Sequence, residues 1–185
     1  IILLSYSCSI EDKYAPINEY ANIDLTQVPF SKLSDYGFFT GNINTLNPTQ
    51  GVYPYNMTSP SFADYSSKER FIYLPKGTHM EYQGDFNVFN FPIGTIIIKN
   101  FMYYNDIRDK SLGRKIIETR LLVRKETKWK PFSYKWNDEQ TEATRLIVGG
   151  IVTASTIAKD GNLKEITKYV IPRELDCRTC HNLNE

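Results

Sequence analysis

Histidine is scarce in this chain of 185 residues, with His79 and His181 the only two. That scarcity leaves hydrolytic chemistry little to work with, and no Ser-His-Asp set, phosphate-cradling glycine loop or metalloprotease helix motif can be traced. The neighbouring carboxylates Asp138 and Glu139 sit in a polar stretch and read as solvated turn residues. An excess of one charge is also missing. Lys and Arg number 22 against 21 for Asp and Glu, a net charge of +1. Nothing electrostatic therefore calls for nucleic acid or an anionic membrane, and any charged docking surface must be a local patch. No apolar run approaches the ~20 residues that span a bilayer, and there is no internal repeat or low-complexity tract. Cysteine is limited to Cys8, Cys177 and Cys180, an odd number that a single disulfide framework cannot use up.

What is present favours strands. The 13 Tyr and 10 Phe, together with Ile and Val, suit pleated, half-buried surfaces, and the length suits one domain with one core. Strand-like runs recur at Arg70 to Leu74, Phe86 to Phe91, Thr95 to Tyr104, Lys115 to Arg124, Trp129 to Trp136, Thr144 to Val148, Ile151 to Ile157 and Glu165 to Ile171. Gly, Asp and Asn mark the gaps, no ten-residue helical period lies between them, and Asp160-Gly161 is the strongest hairpin signal. Residues 29–41 fit one short helix stopped by Gly37 and packed as a lid at the domain's edge. The stretch 47–65, with Pro48, Gly51, Pro54 and Pro60 set among Tyr53, Tyr55, Met57 and Phe62, fits an ordered loop. The expected fold class is mainly β, an antiparallel sheet or sandwich with a short N-terminal helix.

The opening Ile1-Ile2-Leu3-Leu4-Ser5-Tyr6-Ser7-Cys8 turns polar at Ser9 to Lys13, which reads as the tail of a secretory apolar region running into a processing site. Ser5 to Cys8 resembles a loose bacterial lipobox, in which Cys8 becomes the lipidated first residue, although Ser5 stands where an aliphatic residue is usual. A buried N-terminal strand with a free thiol is the alternative. Residues 1–28 are accordingly expected to be a secretion or lipoprotein leader remnant and tether, and the location periplasmic or cell-surface, with a lipid anchor through Cys8. The missing initiator Met, and the four residues that follow His181, lead us to expect a fragment at both ends.

Cys177-Arg178-Thr179-Cys180-His181 carries the chemistry. Cys-x-x-Cys-His is the attachment pattern of c-type haem: two thiols three positions apart add to the two vinyl groups of one porphyrin, and the next imidazole becomes the proximal iron ligand. The expected cofactor is one covalent haem c, with His181 as the metal ligand. Three other readings compete. A thioredoxin-like redox pair wants the cysteines opening a helix after a strand, and no βαβ unit is visible. A structural zinc site wants four ligands, and only His79 and the remote Cys8 remain to complete a set. A Cys177–Cys180 disulfide closes a strained short loop. The chain thus divides into 1–28, a β-rich domain over 29–172, and a C-terminal haem-attachment segment over 173–185. A sixth iron ligand must come from His79, Met57, Met80 or Met102, or from beyond Glu185.

Leu33 to Phe39, Ser61 to Tyr65, Lys68 to Pro75, Phe91 to Thr95, Glu118 to Arg120 and Trp136 to Thr141, read with the Cys-x-x-Cys-His motif, resemble a family of bacterial periplasmic dihaem c-type cytochromes across roughly residues 29–185. In that family a second such motif lies further along, and this sequence holds one. A more distant likeness is to cytochrome c′-β and to the hydroxylamine-oxidising cytochromes whose haem is crosslinked to a lysine, where a β domain likewise precedes the haem motif. Gly94-Thr95-Ile96-Ile97-Ile98-Lys99 looks like the strand that bears that lysine, so the resemblance implies that Lys99 points at the haem. On its own residues, Lys99 is either an ordinary strand lysine reaching solvent or, set among three isoleucines, a charge that needs a partner. Glu118 and Arg120 share one strand face, where they form an exposed ion pair or meet a haem propionate.

These readings lead to electron transfer outside the cytoplasm with a redox partner protein. The alternatives are a five-coordinate haem enzyme or binder of small ligands of the NO or hydroxylamine type, and a surface β-sandwich binding lipoprotein.

Overall fold

The structure is a computed structural model that describes residues 20–58 and 66–179. Among them the strands are β1 (Val52–Pro54), β2 (Ser67–Tyr73), β3 (Ile96–Tyr104), β4 (Arg114–Arg124), β5 (Trp129–Trp136), β6 (Ala143–Arg145), β7 (Gly150–Ile157) and β8 (Leu163–Ile171). The first six pair in chain order as one antiparallel sheet, and β7 and β8 form a separate hairpin. The fold is mainly β and antiparallel, as the composition implied. No helix among the described residues is long and apolar enough to cross a membrane.

Side chains alternate across a strand, and the inner face collects the apolar set. Phe71, Ile98, Leu121 and Phe132 are cross-strand partners in one row, all buried. Residues 20–50 lie over this face and contribute Leu33, Tyr36, Phe38, Phe39 and Leu46 to the same core. A ring of hydrogen bonds ties the cover to the sheet. The Tyr134 hydroxyl donates to the Phe30 carbonyl at 2.8 Å, Tyr36 and Tyr134 hydroxyls meet at 2.8 Å, and the Phe30 amide donates to Tyr36 at 3.3 Å. Residues 31–33 also pair along β6, with Arg145 N–H donating to the Ser31 carbonyl and Leu33 N–H to the Ala143 carbonyl, both at 2.9 Å. That edge is thereby closed to other chains.

The hairpin covers part of the outer face, burying Phe101, Tyr103 and Ile117 against Tyr169 and Ile171. Its turn is the Asp160-Gly161 signal, with Gly161 at φ 85° and the Gly161 amide bonded to the Ala158 carbonyl at 2.9 Å. The far end of β7 is pinned where the Ile107 amide donates to the Ile157 carbonyl and the Ile157 amide to Asn105, each at 3.0 Å.

Four expectations change. The helix over 29–41 is a single 3-10 turn, Ser34–Tyr36, stopped by Gly37 at φ 62°. This segment is no lid at the edge, because Leu33, Tyr36 and Phe38 are needed in the core. Residues 20–28 are not tether: Ala21 and Val28 are buried, and the Ala21 amide reaches the Gln50 carbonyl at 3.1 Å. Phe86 to Phe91 forms no strand; Phe86 is fully exposed, and the loop is held by the Glu81–Asn90 bridge and by the Phe91 ring, edge-on to Trp129 at 5.4 Å. The run from Thr144 to Val148 shortens to β6, because the chain turns at Gly149 into β7. Most of the expected Pro-rich loop is described up to Thr58 and includes the short β1.

Phe71→Ala should destabilise the fold by about 3–5 kcal/mol, the cost of emptying a core aromatic site. Phe86→Ala should stay within about 0.5 kcal/mol. Urea denaturation of both variants checks the contrast, and comparable losses would place Phe86 in a core after all.

Candidate functional site

On the outer face, antiparallel register arranges side chains in three rows across β2, β3, β4 and β5. The first is Ile72, Ile97, Leu122 and Pro131; the second Arg70, Lys99, Arg120 and Ser133; the third Lys68, Phe101, Glu118 and Lys135. Three cations thus stand side by side in the middle row, an arrangement that weakens a sheet. Burial, then Arg120, Arg70 and Lys68, holds the Lys99 ammonium below its ordinary range, with Glu118 opposing. Burial, Arg70 and Arg120 lower Lys68 in the same way.

The fold offsets part of this. The Phe101 ring has the Arg120 guanidinium at 4.3 Å, the Lys99 amine at 5.6 Å and the Lys68 amine at 5.7 Å from its centre, all within cation–π reach. Glu118, fully buried, accepts from Arg120 and from the Tyr169 hydroxyl at 2.6 Å. Burial and the Glu118 charge push Tyr169 up, so it stays a donor. The Glu118–Arg120 pair is therefore no exposed strand-face contact: β8 closes over the acid and only part of the guanidinium remains in reach of the groove.

Beyond β8 the chain crosses Gly149 at φ 71°, where an added Cβ would fall 2.6 Å from the Ile171 carbonyl oxygen; only glycine lets these backbones pass so closely. Glu174 then takes both Nε and Nη2 of Arg145 at 2.8 Å, a bidentate grip, and Arg173 pairs with Asp176 at 2.8 Å. These anchors start the 3-10 turn Asp176–Thr179. It sets Cys177, half-buried, beside Arg120, Glu118 and Ser133, with Sγ 3.7 Å from the Arg173 carbonyl.

Between this turn, the sheet and the loop after β1 lies a cavity of about 590 Å³, inside the span of about 300–1,000 Å³ usual for small-molecule sites. Ile97, Leu122, Pro131 and Pro172 supply apolar surface, Arg70, Lys99 and Arg120 the charge, and Tyr55, Met57, Asp176 and Cys177 the rim. Lys99 and Cys177, remote in sequence, line the same space. Cys180, His181 and Cys8 lie outside the described residues. Of the sixth-ligand candidates, Met57 lines this cavity, Met102 is buried on the inner face, and His79 is exposed in the loop after β2. Asp138 is largely exposed and pairs with Lys115 at 2.7 Å.

Arg70, Phe101, Ser133 and Tyr169 belong to the site and were not singled out from sequence. The Lys68-x-Arg70 alternation ahead of an apolar run was the available signal, since it places two cations on one strand face.

Cys177 lies in the 3-10 turn Asp176–Thr179, and burial raises its thiol against the pull of Arg120, whereas an attacking thiol of the thioredoxin type has a lowered pKa. No protein-family model matches the chain, nor does any curated protein or solved structure.

The depressed Lys99 has a consequence for stability. Between its folded pKa and the unfolded value near 10.5, the unfolded chain holds the extra proton, so the Lys99 contribution makes stability rise with pH in that window. Tyr134 and Tyr169, raised by burial, act in the opposite sense above their ordinary range, in the natural chain and in a Lys99 variant alike. Lys99→Met should therefore be the more stable of the two haem-free proteins at neutral pH, its advantage shrinking as pH climbs toward 10.5. Urea midpoints across that range measure it; parallel profiles would refute the burial of a strained cation.

Proposed function

We propose that this chain is a c-type cytochrome of the periplasm or cell surface, anchored by lipid at Cys8, which exchanges electrons with a redox partner protein. One haem is held covalently by Cys177 and Cys180, with His181 as iron ligand. One observation carries the reading: the first cysteine of the motif lines a cavity that is apolar on one side and cationic along one row. A flat apolar macrocycle with two carboxylate tails calls for such a lining, since burying its carboxylates without cations would be costly. Bound haem supplies a one-electron ferric–ferrous couple.

The remaining work falls to the chain's own side chains. Ile97, Leu122 and Pro131 keep water from one side, and Arg70, Lys99 and Arg120 set the local charge, both of which tune a redox potential. Gly149 and the Arg145–Glu174 pair hold the cysteine-bearing turn over the sheet. A second reading, an open iron position for ligands of the NO or hydroxylamine type, draws support from Met57. This cavity-lining candidate for a sixth ligand is 52% exposed on a loop, a loose support for a metal bond.

Expression with a complete secretion signal, in a host with cytochrome c maturation, should yield protein that keeps its haem through acid–organic extraction, with the haem mass added. Cys177→Ala with Cys180→Ala should lose it. A low-spin six-coordinate spectrum supports electron transfer and a high-spin five-coordinate one the small-ligand reading. An exported, folded protein without covalent haem would refute both and leave a surface β-domain binding protein.

A further inference from the structure

We infer that the row of Arg70, Lys99 and Arg120 is a dicarboxylate site that receives the two propionates of the haem, an inference that rests on the haem reading above. The argument begins with charge. Three cations line the cavity, and the carboxylate that the fold sets against them is Glu118, already bonded to Arg120 and Tyr169. Asp176, at the rim, is committed to Arg173. Among the described residues the row therefore carries an excess of positive charge, which the carboxylates of a ligand would compensate.

Geometry adds a second line. The Nε atoms of Arg70 and Arg120 are buried without a hydrogen-bond partner, and Arg70 is only 7% exposed. Buried donors of this kind are rarely left unused. Register makes the three neighbours on adjacent strands, and neighbouring strands are about 4.8 Å apart, so the row spans roughly 10 Å with its donors on one face. The apolar row of Ile97 and Leu122 runs parallel to it. An amphipathic ligand thus meets charge along one edge and hydrocarbon along the next. Left empty, the row keeps a repulsion that Phe101 and Glu118 offset in part; filled by carboxylates, its cations gain charge-assisted bonds.

The test pairs a change in the ligand with a change in the protein. Haem-free full-length chain, made without cytochrome c maturation, is titrated with haemin and with haemin dimethyl ester, whose propionates carry no charge. The natural chain should bind the acid at least about tenfold more tightly than the ester, the worth of one charge-assisted hydrogen bond. Arg70→Met with Lys99→Met, which leaves Arg120, Glu118 and Tyr169 in place, should close that gap, and Lys99→Arg alone should keep it. Equal affinity of the natural chain for acid and ester would overturn the dicarboxylate site while leaving the haem reading intact. A preference for the acid that survives in the double variant would overturn it too. If the natural chain binds neither, the site is again overturned, and covalent haem in the exported protein then tells separately whether the haem reading stands.

Discussion

Like charges on adjacent strands repel through a medium that screens them less than water does, and much of the outer face is arranged around that fact. Arg70, Lys99 and Arg120 cannot separate, because the pleat and the register that bury Phe71, Ile98 and Leu121 on one side fix these three on the other. A one-residue slip would relieve the cations only by turning the core outward. The repulsion is therefore locked in by the hydrophobic effect, whose gain over a row of buried Leu, Ile and Phe side chains, about 1.5–3 kcal/mol each, exceeds the cost of a like-charge pair.

The surrounding groups answer that locked charge in a graded way. Phe101 offers its face to three cations, Glu118 takes one of them, and Tyr169 is carried in by β8 to hold Glu118. The same strand then delivers the C-terminal turn to the groove it has helped to shape. Gly149 and the Arg145–Glu174 pair thus act on position: they touch none of the three cations, yet they decide where Cys177 comes to rest.

How much of this could be read beforehand follows from what order along the chain encodes. β3, β4, β5, β7 and β8 were legible because runs rich in Ile, Val and aromatics are bounded by Gly, Asp or Asn, or, between β4 and β5, by the polar Lys125-Glu126-Thr127-Lys128. β2 was placed too late: Ser67 to Glu69 look like loop until one sees that Lys68 faces the outer row. Phe86 to Phe91 has the aromatic content of a strand, but Asn87 and Asn90 interrupt it and no neighbour pairs along its length. The Gly37 stop was right, while the helix before it was not, since Leu33, Tyr36 and Phe38 reach the core from a turn. Lys99 stood out for its isoleucine neighbours. Arg120 stood out beside Glu118, but that it and Arg70 flank Lys99 did not, because cross-strand register belongs to pairing, and a shift between Phe101 and Met102 alters the β3–β4 count in a way that composition does not announce.

The in-order pairing of β1 to β6 also dictates a sequence of events in time. Each strand of the large sheet finds its partner in the strand just before it, so each ladder can close before the next strand is delivered, whereas the bonds from Phe30 and Tyr36 wait for Tyr134, 104 and 98 residues on. Domains form from the N-terminal side as chain is delivered, and the cover over residues 20–50 is delivered before the sheet it shields. The cationic row is complete once β4 has docked on β3, well before the turn at Cys177 arrives. The turn at Cys177 therefore reaches a row of cations already in place and joins the structure by docking on the sheet, with no core of its own to build.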